Sequence, residues 1–313
     1  MRILFMGTPE FAVPCLEALA RWKPGAVIGV ISQPDKPRGR GMTVAETPVK
    51  TAALRLGLPV FQPARIKGSE AEQLLEHLAP QLVVVVAYGK ILPKWFLDFP
   101  VFGAINVHAS LLPRYRGAAP LQHAILNGEV TTGVTLMLMD EEMDTGPIIS
   151  QMEFPIYENE TAGELAERVS IHASEFLVRE LPHYLSKDQQ PAPQNPELAT
   201  YAPPLKKEDG QLRFERSSLR LHNQVRAMNP WPIAFCRRED ELLLVHRSYL
   251  PRNGHATGVP GELIYVNEDS MLVQCGNGVL ALYQVQAPGK RIVSGRDFAN
   301  GFRLKPGFRF MEG

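Results

Sequence analysis

A doubly wound, mostly parallel α/β sheet followed by a smaller β-barrel is the fold class that this sequence predicts. Three observations carry it. Short apolar runs at Arg2–Met6, Val27–Ile31, Val60 with its neighbours, Leu82–Val86 and Ala104–Val107 alternate with helical patterns, and such βαβ alternation builds a parallel sheet. The run Val83-Val84-Val85-Val86 is apolar on both faces, as a central strand covered by helices on both sides must be. Beyond residue 206 the pattern changes to short alternating segments punctuated by Asn253-Gly254, Pro260-Gly261, Asn277-Gly278 and Pro288-Gly289. Short strands between Gly turns argue for a small barrel.

Taken in order, Arg2–Met6 reads as a first strand and not as the apolar part of a leader, because the run is short and Thr8-Pro9-Glu10 follows at once. The Gly7-Thr8-Pro9 turn stands where a dinucleotide fold carries G-x-G-x-x-G, but only one of the glycines is present, so NAD is not expected. After the second strand comes Gln33-Pro34-Asp35-Lys36-Pro37-Arg38-Gly39-Arg40-Gly41, a loop whose arginines suit phosphate contacts. Thr47-Pro48 reads as an N-cap with Pro at N1, and Ser69–Leu78 sets Leu74, Leu75 and Leu78 on one helical face. Thr161-Ala162-Gly163-Glu164 is a capping box opening a long helix, with Leu165, Val169, Phe176 and Leu181 on its buried side. Between Ser186 and Pro204 the prolines at 191, 193, 196, 203 and 204 stand among polar residues, the composition of a linker. Leu221, Val225 and Met228 then mark one short helix ahead of the barrel strands.

A chain of 313 residues with 45% apolar content has room for two cores. The expected division is a catalytic domain over 1–186, a proline-rich linker over 187–205 and a β-barrel domain over 206–313. Cys15, Cys236 and Cys275 are far apart and lack C-x-x-C spacing, which fits reduced thiols in a cytoplasmic protein. No segment approaches the length of a membrane span, and no H-E-x-x-H or Cys/His cluster implies a metal. The net charge of zero hides a division: residues 1–205 hold 17 Lys and Arg against 22 Asp and Glu, and residues 206–313 hold 16 against 11. A basic second half points to a polyanionic partner. His172 and His222 lie on or beside apolar helical stripes and read as packed structural residues.

The chemistry gathers in Asn106-Val107-His108-Ala109-Ser110-Leu111-Leu112-Pro113-Arg114-Tyr115-Arg116-Gly117 and in Met143-Asp144-Thr145-Gly146-Pro147. Residues two apart on a strand share a face, so Asn106 and His108 project together. An amide beside an imidazole at a strand end, with a carboxylate from a later loop, can bind a developing oxyanion and manage one proton. That is the equipment of acyl transfer without a covalent enzyme intermediate. Asp140, Glu141, Glu142 and Asp144 are all available as the carboxylate, and the residues alone do not choose among them.

These segments resemble the 10-formyltetrahydrofolate-dependent formyltransferase family, whose signature is an Asn-x-His strand end, a Ser-Leu-Leu-Pro loop and an Asp-Thr-Gly loop. The likeness extends over nearly the whole chain, through Phe5-Met6-Gly7-Thr8-Pro9-Glu10-Phe11, Gln33-Pro34-Asp35-Lys36-Pro37, the run from Val85 to Pro93, and Asn229-Pro230-Trp231-Pro232. It implies a Rossmann-like formyltransferase domain with an oligonucleotide/oligosaccharide-binding type of barrel behind it. It selects Asp144, and so implies a catalytic trio of Asn106, His108 and Asp144, with Asn106 and His108 donating to the formyl oxygen. Ser110, Leu111, Leu112 and Pro113 resemble the family's folate loop, and Ile91 and Leu92 the wall of its pterin pocket. The formyl donor implied is 10-formyltetrahydrofolate, and the acceptor is the α-amino group of charged initiator methionyl-tRNA, with Arg40 and Arg38 as tRNA contacts. Here Met42-Thr43-Val44 follow the second glycine where relatives often extend the positive run. A free α-amino group titrates near 7.7–8.0, so the substrate supplies its own nucleophile. Sugar-amine and glycinamide-ribonucleotide formyltransferases or a folate-formyl hydrolase share the trio; the Asn-Pro-Trp-Pro motif, the Arg-bearing loop and the basic barrel favour the tRNA reading. A monomer is expected.

Overall fold

The computed structural model describes all residues except 39–42, 189, 253–256 and 312–313, and only the backbone at 37, 38, 43 and 44. The Asn253-Gly254 turn and Arg40 therefore lie outside the described residues. In chain order the elements of the first half are β1 (Ile3–Gly7), α1 (Val13–Trp22), β2 (Val27–Ile31), β3 (Lys36–Arg38), β4 (Thr43–Ala45), α2 (Pro48–Arg55), β5 (Val60–Phe61), α3 (Ser69–Leu78), β6 (Leu82–Val86), α4 (Lys94–Asp98) and β7 (Ala104–His108). There follow α5 (Pro120–Leu126), β8 (Thr131–Leu138), β9 (Ile148–Pro155), α6 (Ala162–Leu185) and α7 (Ser218–Ala227). The last part holds β10 (Ala234–Arg238), β11 (Glu241–Tyr249), β12 (Leu263–Val266), β13 (Met271–Gln274), β14 (Val279–Gln286), β15 (Val293–Ser294) and α8 (Gly295–Gly301).

Two compact units result. One comprises Met1–Pro120, Thr132–Phe154 and Ala166–Pro203; the other comprises Leu121–Thr131, Pro155–Leu165 and Pro204–Gly313. The first is built on a seven-stranded sheet of order β5-β2-β1-β6-β7-β8-β9. Pairs β2/β5, β1/β2, β1/β6 and β6/β7 are parallel, and β7/β8 is antiparallel. Every residue of β1 and β6 is buried, as their unbroken apolar runs require. Leu4, Met6, Val83, Val85, Leu75, Leu78, Tyr88 and Phe96 belong to one core cluster. Strand order reverses between β1 and β6, and ligands of open α/β sheets bind beyond the carboxyl strand ends at such a switch point.

The predicted caps are present. Thr47 Oγ1 accepts the Lys50 N–H at 3.2 Å, and in the box ahead of α6 the Glu164 N–H reaches Thr161 Oγ1 at 3.3 Å while the Thr161 N–H reaches Glu164 Oε2 at 2.9 Å. The segment expected to be a tether has a defined path up to Pro203: Ala192 bridges Ile148, and Tyr201 bridges Arg116, within the first unit. Among the described residues no helix is long and apolar enough to cross a membrane.

The second unit carries an antiparallel sheet of order β10-β11-β14-β13-β12, with β15 on β14. The chain end closes it into a barrel: Arg309 bridges Glu262 next to β12, and Met311 bridges Arg237 on β10. The closing bonds include Leu263 N–H to the Phe308 carbonyl at 2.7 Å and Arg237 N–H to the Met311 carbonyl at 2.9 Å. In the same unit α7 buries polar as well as apolar side chains. His222 Nε2 donates to the Glu158 carbonyl at 3.2 Å, and Arg226 Nη1 to the carbonyls of Tyr157 and Glu160 at 3.1 and 3.2 Å.

Candidate active site

Strand β7 ends at His108, and its register places Asn106 opposite Val85 on one side and Met137 on the other, with His108 opposite Thr135. The strand period sets Asn106 and His108 on one face, and the loop after β8 brings a carboxylate to them. Asn106 Nδ2 lies 3.4 Å from Asp144 Oδ1, and His108 Nδ1 lies 3.6 Å from the same oxygen. The other carboxylate oxygen, Oδ2, accepts the Gly117 backbone N–H at 2.9 Å. His108 is 6% exposed, and its Nε2 is 3.0 Å from the Tyr115 carbonyl oxygen. A carbonyl only accepts, so Nε2 carries a proton. Nδ1, turned to Asp144, is the ring nitrogen left for proton exchange.

The loop around Asp144 is folded tightly. Asp144 sits at φ 56, in the left-handed region that side-chain-bearing residues seldom occupy. Two residues on, a Cβ at Gly146 would collide with the Leu138 carbonyl oxygen, so the turn needs glycine there. The rival carboxylates fall away on geometry. Asp140 accepts the Thr145 hydroxyl at 2.7 and 2.8 Å, and Glu141 and Glu142 are exposed.

Ser110 to Pro113, expected to form the folate loop, divide between buried and accessible positions. Ser110 is fully buried and its hydroxyl donates to the Arg114 carbonyl at 2.6 Å. Leu112 is buried; its N–H donates to Thr135 Oγ1 at 3.1 Å, its carbonyl accepts Gln151 Nε2 at 2.9 Å, and its bond to Pro113 is cis. Leu111 and Pro113 are partly exposed. On the loop after β6, Ile91 is 66% exposed whereas Leu92 is 2% exposed and joins the core cluster. Of the two, only Ile91 is open to solvent, and Leu92 packs in the core. Arg38 lies on β3 with its backbone paired to Thr43.

A contact unforeseen in the sequence completes the site. Gln194, in the proline-rich segment, donates through Nε2 to the carbonyls of Asp144 and Gly146 at 2.9 and 2.8 Å. Its Oε1 accepts from Arg116 Nη2 and Nε at 2.7 and 3.2 Å. The residue is far from the trio in sequence and surrounded by prolines, so no local pattern marks it.

Other ionisable groups take structural places. His222 is buried as expected, but His172 is a correction: it is exposed, stacked on Phe154 with ring centroids 5.4 Å apart, because it occupies the outer face of α6. Burial pushes the thiols of Cys15, Cys236 and Cys275 up to about 12, which leaves them inert near neutrality. Among the described residues no group of three or more His, Cys, Asp or Glu could hold a metal.

Comparison with known proteins gives the family. The profile described as "Formyl transferase" matches residues 1–181, and that described as "Formyl transferase, C-terminal domain" matches residues 204–303. The methionyl-tRNA formyltransferase of Myxococcus xanthus (strain DK1622) is 44% identical over 306 residues, covering 98% of this chain and 96% of the relative. That of Citrifermentans bemidjiense is 43% identical over 307 residues, 98% of this chain and 95% of the relative. Among solved structures, the sugar 3N-formyl transferase WlaRD, crystallised with dTDP and 5-N-formyl-THF, matches with a TM-score of 0.68 at 20% identity, covering 93% of this chain and 99% of that one.

Proposed function

The chain belongs to the formyl transferase family, and from that premise we infer that Asn106, His108 and Asp144 are its catalytic trio. Its reaction is the transfer of the formyl group of 10-formyltetrahydrofolate to the α-amino group of methionyl initiator tRNA, for translation initiation. The observation that carries the assignment is the single carboxylate oxygen, Asp144 Oδ1, facing both the Asn106 amide and His108 Nδ1.

The neutral amine of the substrate attacks the formyl carbon, the carbonyl oxygen gains negative charge, and the bond to the folate nitrogen then breaks. Asn106 Nδ2 donates to that oxygen as charge develops, an interaction stronger in the transition state than before it. The proton lost by the amine passes to the departing folate nitrogen by way of His108 Nδ1. While the ring carries both protons, each ring N–H has an acceptor, Asp144 Oδ1 at Nδ1 and the Tyr115 carbonyl at Nε2. Balance is complete: one C–N bond forms, one breaks and one proton moves, with no enzyme nucleophile.

We assign formyl transfer to residues 1–186 and tRNA contact to the basic part over 206–313, joined through 187–205. The folate is taken by the Ser110–Pro113 loop and the accessible side chain of Ile91, with Leu92 beneath. Arg38 and Arg40 contact tRNA phosphates. The protein works as a monomer in the cytoplasm; the trio lies within one chain and its three thiols are free and buried. The test is a formylation assay with 10-formyltetrahydrofolate and charged initiator tRNA, run beside a small amino sugar. Formylation of the sugar alone would overturn the tRNA assignment.

A further inference from the structure

We propose that Gln194, oriented by Arg116, is a positioning residue that sets the backbone of Asp144. The proposal rests on the reading of Asp144 as catalytic and adds the device that holds it. Asp144 lies in the left-handed region at φ 56, which a residue with a side chain keeps only when its surroundings over-determine it. Gly117 fixes the carboxylate from one side, and Gln194 Nε2 fixes the peptide from the other through the Asp144 and Gly146 carbonyls.

The orientation of the Gln194 amide is unambiguous. Both its N–H groups face carbonyls and its oxygen faces two guanidinium donors, so a flipped amide would set donors against Arg116 and an acceptor against two acceptors. Arg116 is 6% exposed and presents a rigid fork to the Gln194 oxygen. It is itself held by backbone bonds to the same segment, Arg116 N–H to the Thr200 carbonyl at 2.8 Å and Ala202 N–H to the Arg116 carbonyl at 2.7 Å. Arg116 and its neighbour Gly117 therefore control both supports of Asp144. The trio contacts of 3.4 and 3.6 Å are long for hydrogen bonds, and small displacements of Asp144 decide whether they tighten in the reaction. A misplacement of about 1 Å costs on the order of 100-fold in rate.

Two variants separate positioning from other effects. Gln194→Glu keeps the length and the acceptor for Arg116 but sets an oxygen against the two carbonyls; Gln194→Met removes the polar contacts without adding charge. Both are expected to lower kcat by on the order of 10- to 100-fold, to shift the acid limb of the kcat–pH profile, and to leave KM for folate and charged tRNA nearly unchanged. Any fall in the melting temperature of Gln194→Glu should be too small to account for the loss of kcat. Adding Gln194→Met to Asp144→Asn should cost little more than Asp144→Asn alone. If Asp144→Asn is inactive while both Gln194 variants turn over normally, or if their loss lies in KM or tracks melting, the positioning role is overturned. If Asp144→Asn itself retains turnover, the catalytic reading of Asp144 fails first.

Discussion

The Gly117 backbone N–H holds Asp144 Oδ2 at 2.9 Å and so turns Oδ1 towards Asn106 and His108. One carboxylate oxygen is thereby held by the backbone while the other faces the amide and the imidazole. The holding residue is constrained in its own right: Gly117 sits at φ 124, and a Cβ there would lie 2.6 Å from the Ala202 carbonyl oxygen. Gly117→Ala is expected to destabilise by about 1–3 kcal/mol and to lower kcat more than the stability loss explains. Urea unfolding and turnover measured on the same preparation check this. A variant with parental stability and kcat would remove Gly117 from the machinery.

Asn106→Ala, His108→Ala and Asp144→Asn should each reduce kcat by on the order of 100-fold or more, because each acts on charge formed in the transition state. Folate affinity, read by fluorescence titration, should change far less. On the proposed proton path His108 and Asp144 act together, so their double replacement should cost little beyond the worse single change. Additive losses would mean that the two act separately.

Contacts to tRNA are separable by salt. Arg40→Ala should raise KM for charged tRNA and leave folate affinity alone. Removing exposed Lys and Arg of 206–313 in pairs should flatten the dependence of log affinity on log salt by about 0.7–0.9 for each lost phosphate contact. Binding isotherms at several salt concentrations provide the reading. An unchanged slope throughout would reduce the basic half to a solvated surface.

Acid should weaken the second unit through His222. Burial, the largest cause, pulls its pKa below the ordinary 6.5. The folded state then binds fewer protons than the unfolded one, so this contribution is complete above about 6.5 and is lost as pH falls towards the depressed folded value. The slope attributable to one proton is at most about 1.4 kcal/mol per pH unit. Replacement by glutamine, His222→Gln, removes the titration and should flatten the urea midpoint against pH below about 6.5. Parallel curves for parent and variant would exclude His222 as the source.

Much of this was legible in the sequence, and the misses have physical reasons. The strands β1, β2, β5, β6 and β7 announce themselves because both of their faces, or the pattern around them, are apolar. Strand β8 escaped because Thr132, Gly133 and Thr135 interrupt its run, yet Thr132 and Thr135 are buried, and Thr135 Oγ1 donates to the Ser110 carbonyl at 2.7 Å. A polar side chain with a buried partner reads as exposed in a sequence. Strand β9 escaped as the last strand of its sheet, where burial is uneven. In the site, spacing alone paired Asn106 with His108. The residues alone left Asp140, Glu141, Glu142 and Asp144 open and the family resemblance selected Asp144, while finding Gln194 needed a fold that returns a proline-rich segment to a loop 50 residues earlier.

The grip of α7 on the segment from Tyr157 to Glu160 has a temporal side. Glu158 and His222 are 64 residues apart, and Tyr157 and Arg226 are 69 apart. At synthesis rates of about 5–20 residues per second, roughly 3 to 13 s pass between translation of Glu158 and translation of its partner His222. During that interval the bonds that His222 and Arg226 make to the carbonyls of Tyr157, Glu158 and Glu160 cannot form. The order of synthesis thus leaves this stretch waiting on the growing chain, a natural place for a nascent-chain chaperone to act or a protease to cut.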